Sequence, residues 1–399
     1  QKCSIKSQLV IISQVMIKIC YLTESMSPEK NAGATRSKYF VSAIIKDPRV
    51  VECSILTNTS RPVFNDHVRI DSVGYEKPPG REMLVVRIVR ECINGVLLVL
   101  ALRKRQVNFF YISSPAYFSS LIVALFCSVT KRSFVFEVRD LYPEALVDAG
   151  LLNSNGYIYK SMEYFTKYIY KKSLLNVTVT EGMYANLREF NNTHLSYNGY
   201  PSIFSQLPLK IKRKNFTVCM HGTFGVFQNV DLISEIILAG VEKGINFLII
   251  GEGSKLKKIH TIAAANPRQV SILNKRPLEE LPNILMKCHL GLSIRESSSL
   301  SQKSFPVRVW EYLGLGLPMV VSPADSEAGS FVSEYKVGSV AELECEDILN
   351  KILWYYYNHD EYLVCQSNVL GIRDLYTREH FSKELVDAAL HSYNLSKLG

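Results

Sequence analysis

No CxxC pair occurs among the nine cysteines, which are scattered at positions 3, 20, 53, 92, 127, 219, 288, 345 and 365 and mostly sit inside apolar runs. They read as reduced core thiols of a cytosolic protein, and no paired Cys/His ligands suggest a zinc site. No HExxH sequence occurs either. The chain has no Walker A loop and no GxGxxG fingerprint, which removes support for an ATPase or a Rossmann dehydrogenase. It has no GxSxG elbow, which argues against a hydrolase built on one. Nor does any segment reach the roughly 18 uninterrupted apolar residues of a membrane-spanning helix. The nearest, 84–100, is broken by Arg87, Arg90 and Glu91.

What is present is a chain of 399 residues with 47% hydrophobic content, longer than one core usually serves, so two domains are expected. The net charge of +9 is unevenly placed. Residues 1–200 hold 25 Lys+Arg against 16 Asp+Glu, leaving 21 against 21 for 201–399. An excess confined to the first half suits a negatively charged partner such as nucleic acid, anionic lipid or a phosphorylated acceptor, or simply a surface kept soluble by charge. At the N-terminus an apolar stretch runs on into a strand pattern without a small-residue cleavage site. Met16 is therefore the expected native start, with residues 1–15 an upstream extension or an added remnant.

Short β-branched runs alternate with longer helical patterns throughout, the signature of βα units around parallel sheets. The first half predicts strands at 17–23, 50–57, 69–75, 108–114, 133–139 and 176–180, with helices at 35–46, 82–103, 116–129, 157–172 and 182–189. A basic, proline-containing stretch around 208–214 reads as a linker. A second series of strands begins at 216–221 and continues at 247–250, 270–273, 290–294 and 318–322, followed by a helical tail. The predicted architecture is α/β, two doubly wound Rossmann-like domains facing each other across a cleft, with ligands at the carboxyl ends of the strands.

Three glycine-bearing loops stand where such sheets bind phosphate: Asn31-Ala32-Gly33-Ala34, His221-Gly222-Thr223-Phe224-Gly225 and Gly251-Glu252-Gly253. Glycines at strand-to-helix turns are common for backbone reasons alone. Their order is more telling, because a helix N-terminus behind a glycine turn offers free N–H groups to an anion, and here one occurs in each half. The most informative stretch runs from Phe305 through Pro306, Arg308, Glu311, Tyr312 and Gly316 to Pro318 and Ser322. A charged residue in so apolar a helix needs a partner, unless Glu311 simply faces solvent.

This stretch resembles the P-S-K-x-x-E-Y-x-x-x-G-x-P segment of family 4 of the retaining glycosyltransferases, which have the GT-B fold, with Arg308 where the family usually has lysine. Ser27 to Arg36 looks like that family's P-P-E-x-G-G-A-x-x-R loop, Asn198-Gly199 its P-N-G, the loop from Gly222 to Asp231 its G-x-x-G-x-x-q-g-x-D, and Gly251-Glu252-Gly253 its G-D-G turn. Glu137-Val138-Arg139-Asp140-Leu141-Tyr142-Pro143-Glu144-Ala145 is close to the V-R-D-L-W-P-E-S signature of a subgroup resembling the bacterial amino-sugar (L-fucosamine-type) transferases of O-antigen and capsule assembly. Two carboxylates and an arginine after a strand end suit sugar-hydroxyl and proton handling, although Asp140 could equally be a helix N-cap. The chain departs from the family at Lys303, where many members have a second glutamate, and in the loop after Gly222, which lacks the usual Arg and Lys.

The resemblance implies transfer of a sugar from a nucleoside-diphosphate donor, UDP-linked by expectation, to an acceptor hydroxyl with retention. Asp140, Glu144, Arg308 and Glu311 are then the catalytic candidates. Gly33, Gly222, Thr223, Phe224, Gly225, Gly251, Gly253, Arg276, Arg308 and Glu311 bind the donor. Residues 16–200 form the acceptor domain, 201–376 the donor domain, and 377–399 a helix returning to the first. No cofactor or metal is implied. The expected partners are the nucleotide sugar, a lipid-linked glycan and an anionic membrane, approached through Arg139, Lys167, Lys171 and Lys172, and not nucleic acid; the place is the cytoplasmic membrane face. The rivals are a UDP-sugar epimerase of the same fold and a non-catalytic subunit of an assembly complex.

Overall fold

A computed structural model of the chain describes residues 16–398 apart from 27–31, 65–67, 79–81, 115, 191, 207–213, 226–227, 254, 298–301 and 303. The expected 1–15 extension, residues 27–31 of the first glycine loop, most of the linker and Lys303 lie outside the described residues.

The first half runs β1 (Ile17–Thr23), α1 (Ala32–Lys46), β2 (Val50–Thr57), β3 (Arg69–Ser72), α2 (Leu84–Leu102), β4 (Phe109–Ser113), α3 (Tyr117–Val129), β5 (Phe134–Val138), α4 (Glu144–Asp148), α5 (Tyr157–Lys172), β6 (Leu175–Thr178), α6 (Glu181–Leu187) and β7 (Thr193–Leu195). Its sheet is seven-stranded, in the order β3-β2-β1-β4-β5-β6-β7, and every pairing is parallel. The second half runs β8 (Thr217–Thr223), α7 (Val230–Glu242), β9 (Asn246–Glu252), α8 (Lys257–Ala265), β10 (Val270–Leu273), α9 (Leu281–Leu285), β11 (Leu290–Ile294), α10 (Val307–Gly314), β12 (Met319–Ser322), α11 (Glu327–Tyr335), β13 (Gly338–Val340), α12 (Cys345–Tyr357), α13 (His359–Ile372) and α14 (Arg378–Leu395). Its parallel sheet has six strands, ordered β10-β9-β8-β11-β12-β13.

Both sheets are covered on both faces, which is why their central strands are apolar throughout rather than alternating with polar residues. The period of two instead sorts residues between two cores. In the first sheet Ile19, Tyr21, Phe109, Tyr111 and Val135 join one core, and Cys20, Leu22, Phe110, Ile112 and Phe134 the other. The former core also takes in Leu385, Val386, Ala389, Leu390 and Tyr393 of α14, so the terminal helix lies beside α1 on the first sheet. None of the eight described cysteines is in a disulfide, and six of them are buried.

Helix α2 is turned inside out. Arg90, Glu91 and Asn94 are buried, while Val85, Val89, Ile93, Val96 and Leu100, spaced along one helical face, are all exposed. The inward polar face is satisfied: Arg90 bonds Glu24 at 3.1 Å and Glu82 at 3.0 Å, Arg87 donates to Glu91 at 2.7 Å, and Asn94 donates to the Tyr75 carbonyl at 2.8 Å. Among the described residues no helix is long and apolar enough to cross a membrane.

The chain crosses between the two sheets twice, and the crossings run side by side. Tyr200 N–H donates to the Tyr376 carbonyl at 3.1 Å, and Arg378 N–H donates to the Tyr200 carbonyl at 2.8 Å. Gly199 makes this approach possible: its φ is +58°, and a Cβ there would stand 2.6 Å from the Tyr376 oxygen. A further link joins the halves, because the Glu327 carboxylate accepts from the backbone N–H groups of Glu181 at 2.8 Å and Gly182 at 3.0 Å, at the start of α6. A carboxylate at a helix N-terminus is favoured by the unpaired N–H groups and the dipole.

Candidate functional site

Two loops of the second sheet lock into each other. Phe224 N–H donates to the Glu252 carbonyl at 2.8 Å, and Gly222 pairs with Gly251 in register. A Cβ at Gly251 would stand 1.9 Å from the Gly222 oxygen, and one at Gly253 2.1 Å from the Phe224 oxygen. Both glycines are therefore demanded by backbone approach between the loops. Phe224, expected at the donor, has its side chain wholly buried in the core beneath the loop, so it supports the loop instead of facing a ligand. Thr223 is exposed, and Gly225 has open space around it.

Above this platform lies α10. Pro306 precedes its first turn, and Val309, Trp310, Tyr312 and Leu313 anchor it in the core, Trp310 stacking on Phe305 with ring centroids 3.9 Å apart. That anchoring carries Arg308 and Glu311 into the interior, both over nine-tenths buried. Gly222, at φ +118°, is packed against Arg308: a Cβ there would stand 3.1 Å from Nη2. Arg308 Nη1 is buried without a hydrogen-bond partner among the described residues. Burial depresses the Arg308 guanidinium, partly offset by Tyr312 and Glu311. A buried, unpaired cation costs several kcal/mol unless an anion joins it, about the range known for broken buried ion pairs.

Glu311 is buried, at 6% exposure, rather than on a solvent face. Burial pushes its carboxyl up to about 7, against the opposing pull of Arg378 and then Arg308. His221 Nε2 lies 3.2 Å from Glu311 Oε2 without hydrogen-bond alignment, and burial, then Arg308, pushes the imidazole down to about 3. Near neutral pH the pair is thus a titrating carboxyl beside a neutral imidazole, not an ion pair. Arg295, at the end of β11, feels Arg308 as well, and its Nη1 donates to Ser304 Oγ at 2.5 Å.

On the first sheet, Glu137 is tied down from all sides. Arg36 Nε donates to it at 2.7 Å and Tyr111 at 3.1 Å, and the Ser113 hydroxyl donates as well. Arg36 also donates to the Tyr197 carbonyl at 3.1 Å, so this buried pair orders the end of β5 next to the crossing strands. Asp140 follows, half-buried and pushed up by burial against the pull of Arg139 and Arg87. It does not cap α4: Pro143 occupies that position, with no side-chain cap bond. Glu144 is exposed on α4 and acts on Tyr159 of α5, whereas Asp140 is acted on by Arg139 and Arg87. Gly33 lies buried in the first turn of α1. Arg276 is exposed after β10, 3.9 Å from Glu280.

The residues expected at a membrane also divide. Arg139 is grouped electrostatically with Glu137, Asp140 and Arg378 at the end of the first sheet. Lys167, Lys171 and Lys172 are on α5; Lys167 pairs with Glu163 at 2.9 Å and Lys172 stands 5.8 Å over the Tyr168 ring. Sequence reasoning passed over His221, Arg295 and Arg378. His221 was in a quoted loop and its position at a strand end could have marked it; Arg378 has no local signal, since only the return of the chain brings it to the site.

No protein-family model matches the chain, and no curated protein matches it by sequence. Solved structures do. HepE from Anabaena, in complex with UDP, superposes with a TM-score of 0.70 at 15% identity, covering 94% of this chain and 100% of that one. WaaG, a glycosyltransferase involved in lipopolysaccharide biosynthesis, gives 0.66 at 11% identity, covering 92% and 98%. A UDP-N-acetylglucosamine 2-epimerase gives 0.59 at 12% identity, covering 95% and 97%. At such identities the likeness establishes the fold, which is GT-B: two doubly wound α/β domains.

Proposed function

We propose that the protein is a retaining, metal-independent glycosyltransferase that moves a sugar from a UDP-linked donor to a lipid-linked glycan in surface polysaccharide synthesis, at the inner face of the membrane. The observation that carries this reading is the buried Arg308 with an unpartnered nitrogen, packed on Gly222 beside the buried Glu311 carboxyl. Such a pair suits a nucleoside diphosphate, with the guanidinium on the diphosphate and the Glu311 carboxylate on the ribose hydroxyls. HepE, solved with UDP, and WaaG, which works in lipopolysaccharide biosynthesis, support the substrate class and the pathway.

In this reading residues 201–376 hold the donor, and residues 16–200 with the helix of 377–399 hold the acceptor. Gly33, Gly222, Thr223 and Gly225 offer backbone to the donor, with Arg276 at its edge. Leaving-group charge grows on the β-phosphate as the glycosidic bond breaks. Arg308 and the amides of the Gly222 loop are fixed in place to receive it, so no reorganisation is needed at that moment. Asp140, pushed up by burial, is suited to proton handling on the acceptor side, and exposed Glu144 to acceptor hydroxyls. Closure of the two domains on the donor would exclude water and hydrolysis.

The outward apolar face of α2, with the exposed Tyr157, Ile158, Tyr164 and Phe165 and the lysines of α5, supports the membrane site. Apolar residues ringed by basic ones suit an anionic bilayer surface. The likeness to an epimerase favours one second reading, interconversion of UDP-sugars. Incubation with UDP-sugars, with and without a membrane extract containing lipid-linked acceptor, separates the two. Transfer to the extract with UDP release supports the transferase; a changed sugar still attached to UDP without acceptor supports the epimerase.

A further inference from the structure

Arg378 begins α14 where the chain returns from the second sheet to the first, and Thr377 caps that helix by accepting from His380 N–H at 3.2 Å. Its side chain is 4% exposed, and neither Nε nor Nη1 has a hydrogen-bond partner among the described residues. The electrostatic neighbours of this guanidinium are Glu311 and, from the first sheet, Tyr39, Arg36 and Arg139. Arg308 is not among them, although both arginines act on Glu311. Arg308, packed on Gly222 with Nη1 unpartnered, and Arg378, with Nε and Nη1 unpartnered and neighbours from the first half, both act on Glu311.

The charges on that side do not balance. Arg36 pairs with Glu137 at 2.7 Å and Arg139 shares that carboxylate; otherwise Arg139 and Arg378 face Asp140, whose carboxyl burial holds toward its neutral form, and Glu311, itself titrating near neutrality. Two cations, one of them sealed from water with two nitrogens unbonded, are held where like charges repel. Folding tolerates such an arrangement when a ligand anion completes it.

We infer that Arg378 and Arg139 form a second anion subsite, on the first-sheet side of Glu311, that takes a phosphoryl group of the acceptor substrate. The assignment to the acceptor rests on the transferase reading above; the anion subsite does not. An arginine fork is suited to a phosphoryl group because it can donate two parallel, charge-assisted bonds. A ternary complex would then hold two phosphorylated ligands at once, one on each side of Glu311.

The test is a calorimetric titration of inorganic phosphate into the full-length protein saturated with UDP. Phosphate is expected to bind the UDP complex, with affinity at least tenfold lower in Arg378→Gln and lowered to an intermediate degree in Arg378→Lys, while UDP affinity changes less than threefold in Arg378→Lys, which keeps the positive charge beside Glu311. Phosphate that binds only without UDP, or a UDP affinity that falls together with the phosphate affinity in Arg378→Lys, would place Arg378 in the nucleotide site and overturn the inference. Undiminished phosphate binding by Arg378→Gln would overturn it too. Should Arg378→Gln fail to fold, as read by circular dichroism, Arg378→Lys with Arg139→Gln carries the same comparison. If the wild type binds no UDP, the transferase reading fails by itself, and phosphate titrated into Arg308→Gln, with and without Arg378→Gln, still decides the subsite. Replacing inorganic phosphate with a soluble short-chain prenyl diphosphate identifies the source: tighter binding assigns the subsite to the acceptor, and equal binding assigns it to free phosphate and overturns the acceptor assignment.

Discussion

Glu311 is held where it weakens the folded chain. Its folded-state value, near 7, lies above the unfolded carboxylate range, so the folded form binds the extra proton and stability falls as pH rises through that window. Glu311→Gln removes the buried charge, and the unliganded variant is expected to melt at pH 8 no lower than the wild type. The same change should weaken UDP binding ten- to a hundredfold, since a charge-assisted hydrogen bond contributes about 1.5 to 3 kcal/mol. On the proposed reading ionised Glu311 is the form that accepts ribose hydroxyls, so wild-type UDP affinity should climb roughly tenfold between pH 6 and 8, and Glu311→Gln should lose that step. Calorimetry at three pH values checks both; a variant with unchanged affinity would leave Glu311 a packing residue. Gly222→Ala should act differently, its Cβ pressing on Arg308 Nη2 at 3.1 Å from a backbone at φ +118°. A loss of UDP affinity greater than the loss of melting temperature is the expected signature, because the arginine has to move. Of this site, Glu311 was legible in the sequence as a charge inside an apolar helix, and Arg308 through the resemblance of its segment to the family motif. Arg378 was not, because no local pattern reports which core a distant helix will join.

At the scale of elements, what could be read and what could not follow from burial. β1, β2, β10 and β11 have the limits that their β-branched runs predict. β7 and β13 were missed: each is three residues long and only half-buried, so neither carries an apolar run. α2 was readable as a helix, but the direction it faces was not, since Arg87, Arg90 and Glu91 look like a solvent face until their buried partners are known. The two kinds of exposed surface make separable predictions for vesicle sedimentation. Replacing Lys167, Lys171 and Lys172 with Gln should remove the salt-sensitive part of binding to anionic vesicles, up to about 1 kcal/mol per charge at low salt. Lys167 should contribute least, since Glu163 already faces it. Replacing Val89 and Ile93 with Ser should lower binding at high salt, where only apolar burial, at about 25 cal/mol per Å², remains. Equal partitioning of wild type and both variants in all conditions would remove the membrane from the account.

Across the whole molecule, the paired crossings at Tyr200 and Arg378 and the Glu327 contact with α6 join the two domains. Glu327→Ala removes the acceptor for two backbone N–H groups and should lower stability by about 1 to 2 kcal/mol, the ordinary effect of losing a helix cap, in denaturant titrations. Transfer should continue in excess EDTA, because Arg308 and the loop amides are proposed to meet the diphosphate charge; loss on chelation, restored by magnesium or manganese, would mean that a cation shares that task. The central claim is that the second domain receives a nucleoside diphosphate sugar on Arg308 and Glu311. Thermal shift of the purified protein against a panel of UDP- and GDP-sugars, run beside Arg308→Gln, tests it most directly. UDP-linked sugars are expected to raise the melting temperature, and Arg308→Gln to abolish that rise. No shift with any nucleotide sugar, or an equal shift in the variant, would contradict it.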